Sequence, residues 1–296
     1  MAGRRSKLTA VAVALLAAAA TPAAAETPGD DPVSRGEYVM RAGGCVSCHT
    51  PRDDDAELLA GGRALETPFG TFYGPNITPD PEHGLGDWTL DDFIAAMTEG
   101  RAPDGRHYYP VFPYTSYTQM KRQDLEDLWA YLQSLEPVSK PNRSHELYWF
   151  VRWRTPLMGW KWLNFEPGPF EPDPERSDTW NRGAYLVNAL SHCAECHTPR
   201  NLTGGLDRSL WLAGAADGPE GETAPNITPD RETGIGRWSE RHLTRYLEFG
   251  MTPGGDFAGG LMGEFVDESS SHLTNDDRQA IAHYILSLDP IEHRVE

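Results

Sequence analysis

Two short words constrain this chain more than anything else in it: Cys45-Val46-Ser47-Cys48-His49 and Cys193-Ala194-Glu195-Cys196-His197. They hold all four cysteines, so no cysteine is left for a disulfide framework. Cys-x-x-Cys-His is the attachment signature of c-type haem. Two intervening residues place both thiols on one helical turn, where each can add across a haem vinyl group. The adjacent histidine supplies the proximal iron ligand. A zinc site of four thiolates and a redox dithiol are the competing readings of paired cysteines. Both leave the duplicated histidine unexplained.

The words sit inside a longer repeat, a pattern that single motifs do not mimic. Arg35-Gly36-Glu37-Tyr38-Val39 returns as Arg182-Gly183-Ala184-Tyr185-Leu186, and Thr50-Pro51-Arg52 as Thr198-Pro199-Arg200. Pro75-Asn76-Ile77-Thr78-Pro79-Asp80 returns as Pro225-Asn226-Ile227-Thr228-Pro229-Asp230. Gly84-Leu85-Gly86-Asp87-Trp88 matches Gly234-Ile235-Gly236-Arg237-Trp238. The chain is therefore expected to be two copies of one domain: 26–137 and 179–296, joined by a Trp- and Pro-rich strap over 138–178. Its 296 residues suffice for two cores.

Residues 1–25 read as a cleaved signal peptide. Arg4, Arg5 and Lys7 precede an apolar run from Leu8 to Ala20, and Ala23-Ala24-Ala25 supplies the small-residue cleavage pattern. That predicts export to the periplasm. No later run approaches the roughly 20 apolar residues needed to span a bilayer, which leaves only peripheral membrane association open. A net charge of −18 argues against nucleic acid as a partner, because phosphate binding needs clustered cations.

Helical signals dominate the coarse reading. A helix over 33–44 should deliver the first haem word, with Tyr38, Val39 and Ala42 inward. Thr89 should cap a helix from Leu90 to Glu99 that stops at Gly100. A last helix from Asp124 carries Leu125, Leu128, Trp129 and Leu132 at helical spacing. Equivalent helices should start near Ser239 and Asp276. The 29 glycines and 24 prolines predict long, turn-rich connections. The fold class is all-α, each domain wrapped around its haem.

These words resemble class I cytochrome c domains. With Tyr109-Pro110-Val111-Phe112-Pro113-Tyr114-Thr115-Ser116-Tyr117 and Trp180-Asn181-Arg182-Gly183-Ala184-Tyr185-Leu186, the chain is similar to the cytochrome c subunits of bacterial periplasmic dehydrogenases. The resemblance covers nearly all of residues 33–290. It implies two covalently bound haem c groups held by Cys45, Cys48, Cys193 and Cys196. It also implies relay of electrons from a partner dehydrogenase to a downstream cytochrome or oxidase.

The distal ligands separate carrier from catalyst. A methionine opposite histidine raises the reduction potential and closes the iron to substrates. In such domains it lies in a loop before the last helix. His49 is then paired with Met120, with Met97 and His107 as competitors. His197 is paired with Met262, with Met251 and His272 as competitors. The two methionines do not superpose on the repeat, since Met120 corresponds to Leu273. A dihaem enzyme with one open haem, peroxidase-like or thiosulfate dehydrogenase-like, is the alternative function.

Resemblance also suggests that the carbonyls of Pro51 and Pro199 accept the proximal imidazole N–H. Arg52 and Arg200 are candidates to neutralise haem propionates, or are plain surface arginines. Trp88 and Trp238 either touch haem or pack the core, the latter being favoured. Asn76 and Asn226 either cap loops over the haem edge or serve turns. In the strap, Trp149, Trp153, Trp160 and Trp162 lie beside Arg152, Arg154 and Lys161. Burial of these aromatics across both domains is the expectation; a docking surface is the alternative.

Overall fold

The computed structural model describes residues 29–53 and 55–295; the predicted signal peptide lies outside them. The Asp31 carboxylate caps α1 (Pro32–Ala42) by accepting the Val33 and Ser34 N–H groups at 3.0 Å each. The helix predicted over 33–44 forms, but ends two residues early. Gly43 ends α1, and Gly44, at φ +63°, turns the chain into α2 (Cys45–His49), which is the haem word itself. Val39 and Ala42 are buried as expected. Tyr38 packs against the core too, and its hydroxyl reaches the other half of the chain.

A small antiparallel sheet follows that the sequence reading did not contain. The hairpin β1 (Ala64–Thr67) and β2 (Gly70–Tyr73) pairs Leu65 with Phe72, and the much later β3 (Glu146–Leu147) adds to the open side of β2. Thr89 and Asp92 form a reciprocal capping box at the start of α3 (Leu90–Glu99), which stops at Gly100 with φ +57°. After the single turn α4 (Tyr114–Tyr117), α5 (Arg122–Ser134) begins two residues earlier than predicted, its side chains Leu125, Leu128 and Leu132 all buried.

The strap contains α6 (Pro156–Asn164), none of whose residues is buried. Three of its four tryptophans overturn the expectation of a buried strap: Trp149, Trp153 and Trp162 are 73, 71 and 85 % exposed, and Trp160 is half-buried. The polar atoms of the strap explain this. Lys161 donates to the Glu99 and Gly100 carbonyls at the end of α3, and Arg154 donates to the His107 carbonyl. The cations thus turn inward to satisfy a helix terminus, and the rings on the opposite side face water.

The second half repeats the plan. α7 (Asp178–Tyr185) runs on through a wider turn over Leu186–Leu190 into α8 (Ala194–His197). Ser239 caps α9 (Glu240–Phe249), α10 (Gly260–Glu268) follows, and Thr274 caps α11 (Asn275–Leu286). In each half the first and last helices cross in contact, and buried residues of both halves join one continuous apolar core, with Phe72, Tyr109 and Leu147 forming a small separate cluster.

Polar contacts between the halves are reciprocal. Tyr38 of α1 donates to Asp277 of α11 at 2.6 Å and accepts the Thr274 N–H at 3.1 Å. Tyr185 of α7 donates to Asp124 of α5 and accepts the Lys121 N–H at 3.0 Å. Each tyrosine repeats the other, as do the two aspartates, so the contact has the self-complementarity of a twofold dimer interface within one chain.

Asn76 and Asn226 resolve as structural clamps. The Asn76 side chain accepts the Thr78 N–H at 2.9 Å and donates to the Val138 carbonyl at 2.7 Å; Asn226 accepts from Thr228 at 2.8 Å and donates to the Ile291 carbonyl at 2.8 Å. Each pins the chain that leaves its domain's last helix against the loop preceding α3 or α9. Both asparagines are 2 % exposed. Asn76→Ala leaves buried donors and acceptors unpaired and is expected to cost about 2–4 kcal/mol, measured by denaturant unfolding.

Candidate haem sites

The two haem words occupy equivalent positions, each straight after a glycine- or histidine-bearing turn with positive φ: Gly44 at +63° and His192 at +38°. All four thiols are held in desolvated surroundings. Burial pushes Cys45 up to about 12, Cys48 to about 11, and Cys193 and Cys196 to about 12. Thiols this strongly protonated are the opposite of the low-pKa pair that a redox dithiol requires. Among the described residues, no three His, Cys, Asp or Glu side chains converge as a metal cage. The four sulfurs are not arranged as a zinc site.

The imidazoles carry the most specific geometry. His49 Nδ1 lies 2.7 Å from the Pro75 carbonyl, and His197 Nδ1 lies 2.8 Å from the Pro225 carbonyl. A carbonyl only accepts, so Nδ1 carries the proton and Nε2 keeps its lone pair. Desolvation lowers the pKa of both rings below the ordinary histidine value, against a smaller opposing effect of the carbonyl bond. A neutral ring with a fixed tautomer and a free Nε2 is what an iron ligand needs.

The expected acceptors, Pro51 and Pro199, are therefore wrong. Pro199 accepts instead from the Asp207 N–H at 2.8 Å. The acceptors are the prolines that open the Pro-Asn-Ile-Thr-Pro-Asp words, brought in from 26 and 28 residues away. In the Thr-Pro-Arg words the threonine does the holding. Thr50 and Thr198 hydroxyls accept the Leu59 and Leu212 N–H groups at 2.9 Å, where both leucines sit at φ +59°. His49 and His197 also accept from Gly61 and Gly214 through their carbonyls, at 2.8 and 2.7 Å.

The family follows from comparison. The cytochrome c family pattern matches residues 33–136 and 180–289. This chain belongs to the cytochrome c family. A "Diheme cytochrome c-type" protein of Cereibacter sphaeroides is 45 % identical over 268 residues, covering 88 % of this chain and 86 % of its own. The fructose dehydrogenase cytochrome subunit of Gluconobacter japonicus is 40 % identical over 270 residues, covering 90 % of this chain and 54 % of its own. The gluconate 2-dehydrogenase cytochrome c subunit of Pantoea cypripedii is 38 % identical over 266 residues, covering 86 % of this chain and 59 % of its own. The chain thus spans little more than half the length of these two dehydrogenase subunits.

The residues of this cytochrome c fit haem. Cys45 and Cys193 pack against the apolar core that includes Val46, Met120 and Leu190. Gly74 lies so close to the first word that a Cβ there would stand 1.7 Å from the Cys48 carbonyl oxygen. That loop is thereby pressed onto α2, carrying Pro75 to His49.

Met120 is 3 % exposed and stands in the turn between α4 and α5, one residue before the α5 cap. Leu273, fully buried, holds the equivalent place before the α11 cap. Met262 lies earlier, in the first turn of α10, half-buried against the core. The mismatch in the repeat thus has a physical origin: one turn of helix in the first half became nine residues in the second. Three of the four competitors are otherwise engaged. His107 Nδ1 is 2.9 Å from Lys161 Nζ, His272 Nε2 is 3.1 Å from the Asp267 carbonyl, and Met97 is core filler on α3.

The two arginines are committed to carboxylates. Arg52 pairs with Glu264 and, at 3.4 Å, Glu220; Arg200 pairs with Glu195 at 2.8 Å. Sequence reading missed Arg63, which is buried and bonds Glu220 at 2.8 Å and Glu264 at 3.4 Å across the halves. The repeat offers Ala216 at its place, so no shared motif marked it. Trp88 and Trp238 pack against the core.

Proposed function

We propose that this is an exported dihaem electron carrier, which accepts electrons one at a time from a dehydrogenase and passes them to a second cytochrome or an oxidase. Cys45 and Cys48 form thioethers to one haem, and Cys193 and Cys196 to the other. His49 with Met120, and His197 with Met262, close the two irons. Haem supplies the one-electron chemistry; the protein orients its ligands and excludes competing reactions. The observation that carries the reading is the duplicated imidazole, fixed through Nδ1 to a proline carbonyl in both halves.

The contact between the halves supports transfer within the chain. His192 Nε2 lies 3.3 Å from the Gly43 carbonyl, and the Ser191 hydroxyl donates to the Ala42 carbonyl at 3.1 Å. Tyr117, three residues before Met120, donates to the same Gly43 carbonyl at 2.7 Å. The approaches to Cys45 and Cys193 therefore touch directly. The relatives named as subunits of fructose and gluconate dehydrogenases support a dehydrogenase as donor. The signal peptide reading of residues 1–25 supports a periplasmic setting, with the domains over 26–137 and 179–296.

A carbon monoxide difference spectrum of the dithionite-reduced holoprotein tests the carrier reading. Two closed irons give no CO complex in the wild type, and Met120→Ala admits CO at one haem only. Rapid CO binding by the wild type would put the open-haem enzyme first.

A further inference from the structure

Four charges drawn from both halves meet beside the first haem word. Arg52 donates to Glu264 through Nε at 2.8 Å, and Arg63 donates to Glu220 at 2.8 Å and to Glu264 at 3.4 Å. Glu264 sits on α10, which packs against α2; Glu220 sits in the turn Pro219–Gly221, which packs against β1. Glu220 holds φ +56°, a left-handed backbone that a glutamate rarely adopts. The side chains of Arg63, Glu264 and Glu220 are 8, 17 and 20 % exposed, so salt and water screen them little. Arg63 Nε is buried with no partner among the described residues, which leaves part of that cation uncommitted. The Cys48 thiol senses the group: beyond desolvation, Glu264 and Glu220 push its pKa up and Arg63 pulls it down. The second haem word lacks such a cluster among the described residues. Ala216 stands at the place of Arg63, and Arg200 turns back to Glu195 of its own half. From the first half, Glu195 receives only the neutral hydroxyls of Thr115 and Ser116, at 2.7 and 3.2 Å.

We infer that Arg63, held by the two glutamates of the second half, sets the reduction potential of the first haem apart from that of the second. The inference rests on the dihaem reading proposed above. An oxidised haem iron carries one positive charge more than a reduced one, so a nearby cation raises the potential and a nearby carboxylate lowers it. The two arginines and two glutamates balance. Removing one charge of either sign therefore leaves an excess of the other in a poorly screened place. Arg63 is a positioning residue in this sense: it acts on the electron through its field, without contact with the reacting atoms. The cluster also makes one half answerable to the other. α10 carries Met262, proposed to close the second iron, and two residues later the glutamate that holds both arginines at the first word.

The test is a spectroelectrochemical titration of the holoprotein at pH 8, far above the ordinary carboxylate range, read as two one-electron steps. Arg63→Gln should lower one step by at least about threefold in its equilibrium constant, about 28 mV at about 59 mV per tenfold. Glu264→Gln should raise the same step by a similar amount. Arg63→Lys, which keeps the charge, should leave that step near the wild type, and Arg63→Gln combined with Glu264→Gln should bring it back. The other step should move far less in every variant. A fall in both single variants overturns the inference, because it marks solvent entering a loosened haem site rather than a lost charge. Equal movement of both steps, or no movement in either, overturns it as well. Unmoved steps in a protein with two haems by pyridine haemochrome reject the role of Arg63 and leave the carrier reading intact. A CO complex in the reduced wild type rejects the carrier reading and leaves the opposite shifts of the two variants as support for the cluster.

Discussion

Replacing Cys45 and Cys48 together by alanine is expected to halve covalent haem to one per chain, measured as pyridine haemochrome absorbance per protein after acid–acetone extraction. The two words share no residue, and each imidazole has its own carbonyl acceptor, Pro75 for His49 and Pro225 for His197. The second half should therefore keep its haem. The first half loses more than a cofactor, because Cys45, Val46 and Met120 share the core that the haem plane would complete. A ligand bound only by the folded state stabilises it by mass action, and a covalent one does so at every concentration. The variant should melt roughly 10 °C or more below the wild type. Two haems retained would refute the thioether assignment. Loss of both would mean that the halves mature only as a unit, through the Gly43–His192 and Ala42–Ser191 contacts.

The second large effect needs one methyl group. Gly36 on α1 lies against the backbone of α5, and a Cβ there would stand 1.9 Å from the Asp127 carbonyl oxygen. Gly183 on α7 repeats the contact, with a Cβ 2.0 Å from the Ala280 carbonyl oxygen of α11. In an isolated helix, Gly→Ala stabilises by about 1 kcal/mol. Here the obstacle is backbone rather than a flexible side-chain end, so the helices must separate and give up their close packing. Gly36→Ala is expected to destabilise by about 3 kcal/mol or more, read by urea unfolding of the holoprotein. Separation also strains Arg35, which reaches Asp127 with two bonds of 2.8 Å. Stabilisation by Gly36→Ala would show that the crossing is looser than its distances indicate.

Arg-Gly-x-Tyr was legible as a repeated word, and its parts turn out to have separate duties. The glycine sets the crossing within a half, while the tyrosine reaches across to Asp277 or Asp124 in the other. Periodicity placed Tyr38 inward without saying which partner its hydroxyl meets, because an apolar stripe does not name its neighbour. Pro51 and Pro199 failed as imidazole acceptors for a similar reason. They are near the histidines in sequence, whereas the real acceptors arrive on a loop that Gly74 and its neighbours press onto α2.

The sequence by itself determined the two haem words, the duplication, and the helix starts and stops at Thr89, Gly100 and Ser239. Those features rest on bonds between residues within about four positions, which local spacing encodes directly. Tertiary structure alone decided the pairing of Tyr38 with Asp277, 239 residues apart, the burial of Arg63 between the halves, and the outward face of Trp149, Trp153 and Trp162. A tryptophan's composition signal is the same inside or out. Its direction was set by Lys161 and Arg154, whose charged ends found the unpaired carbonyls at the end of α3 and in the loop beyond it, and so turned the other side of the strap to solvent.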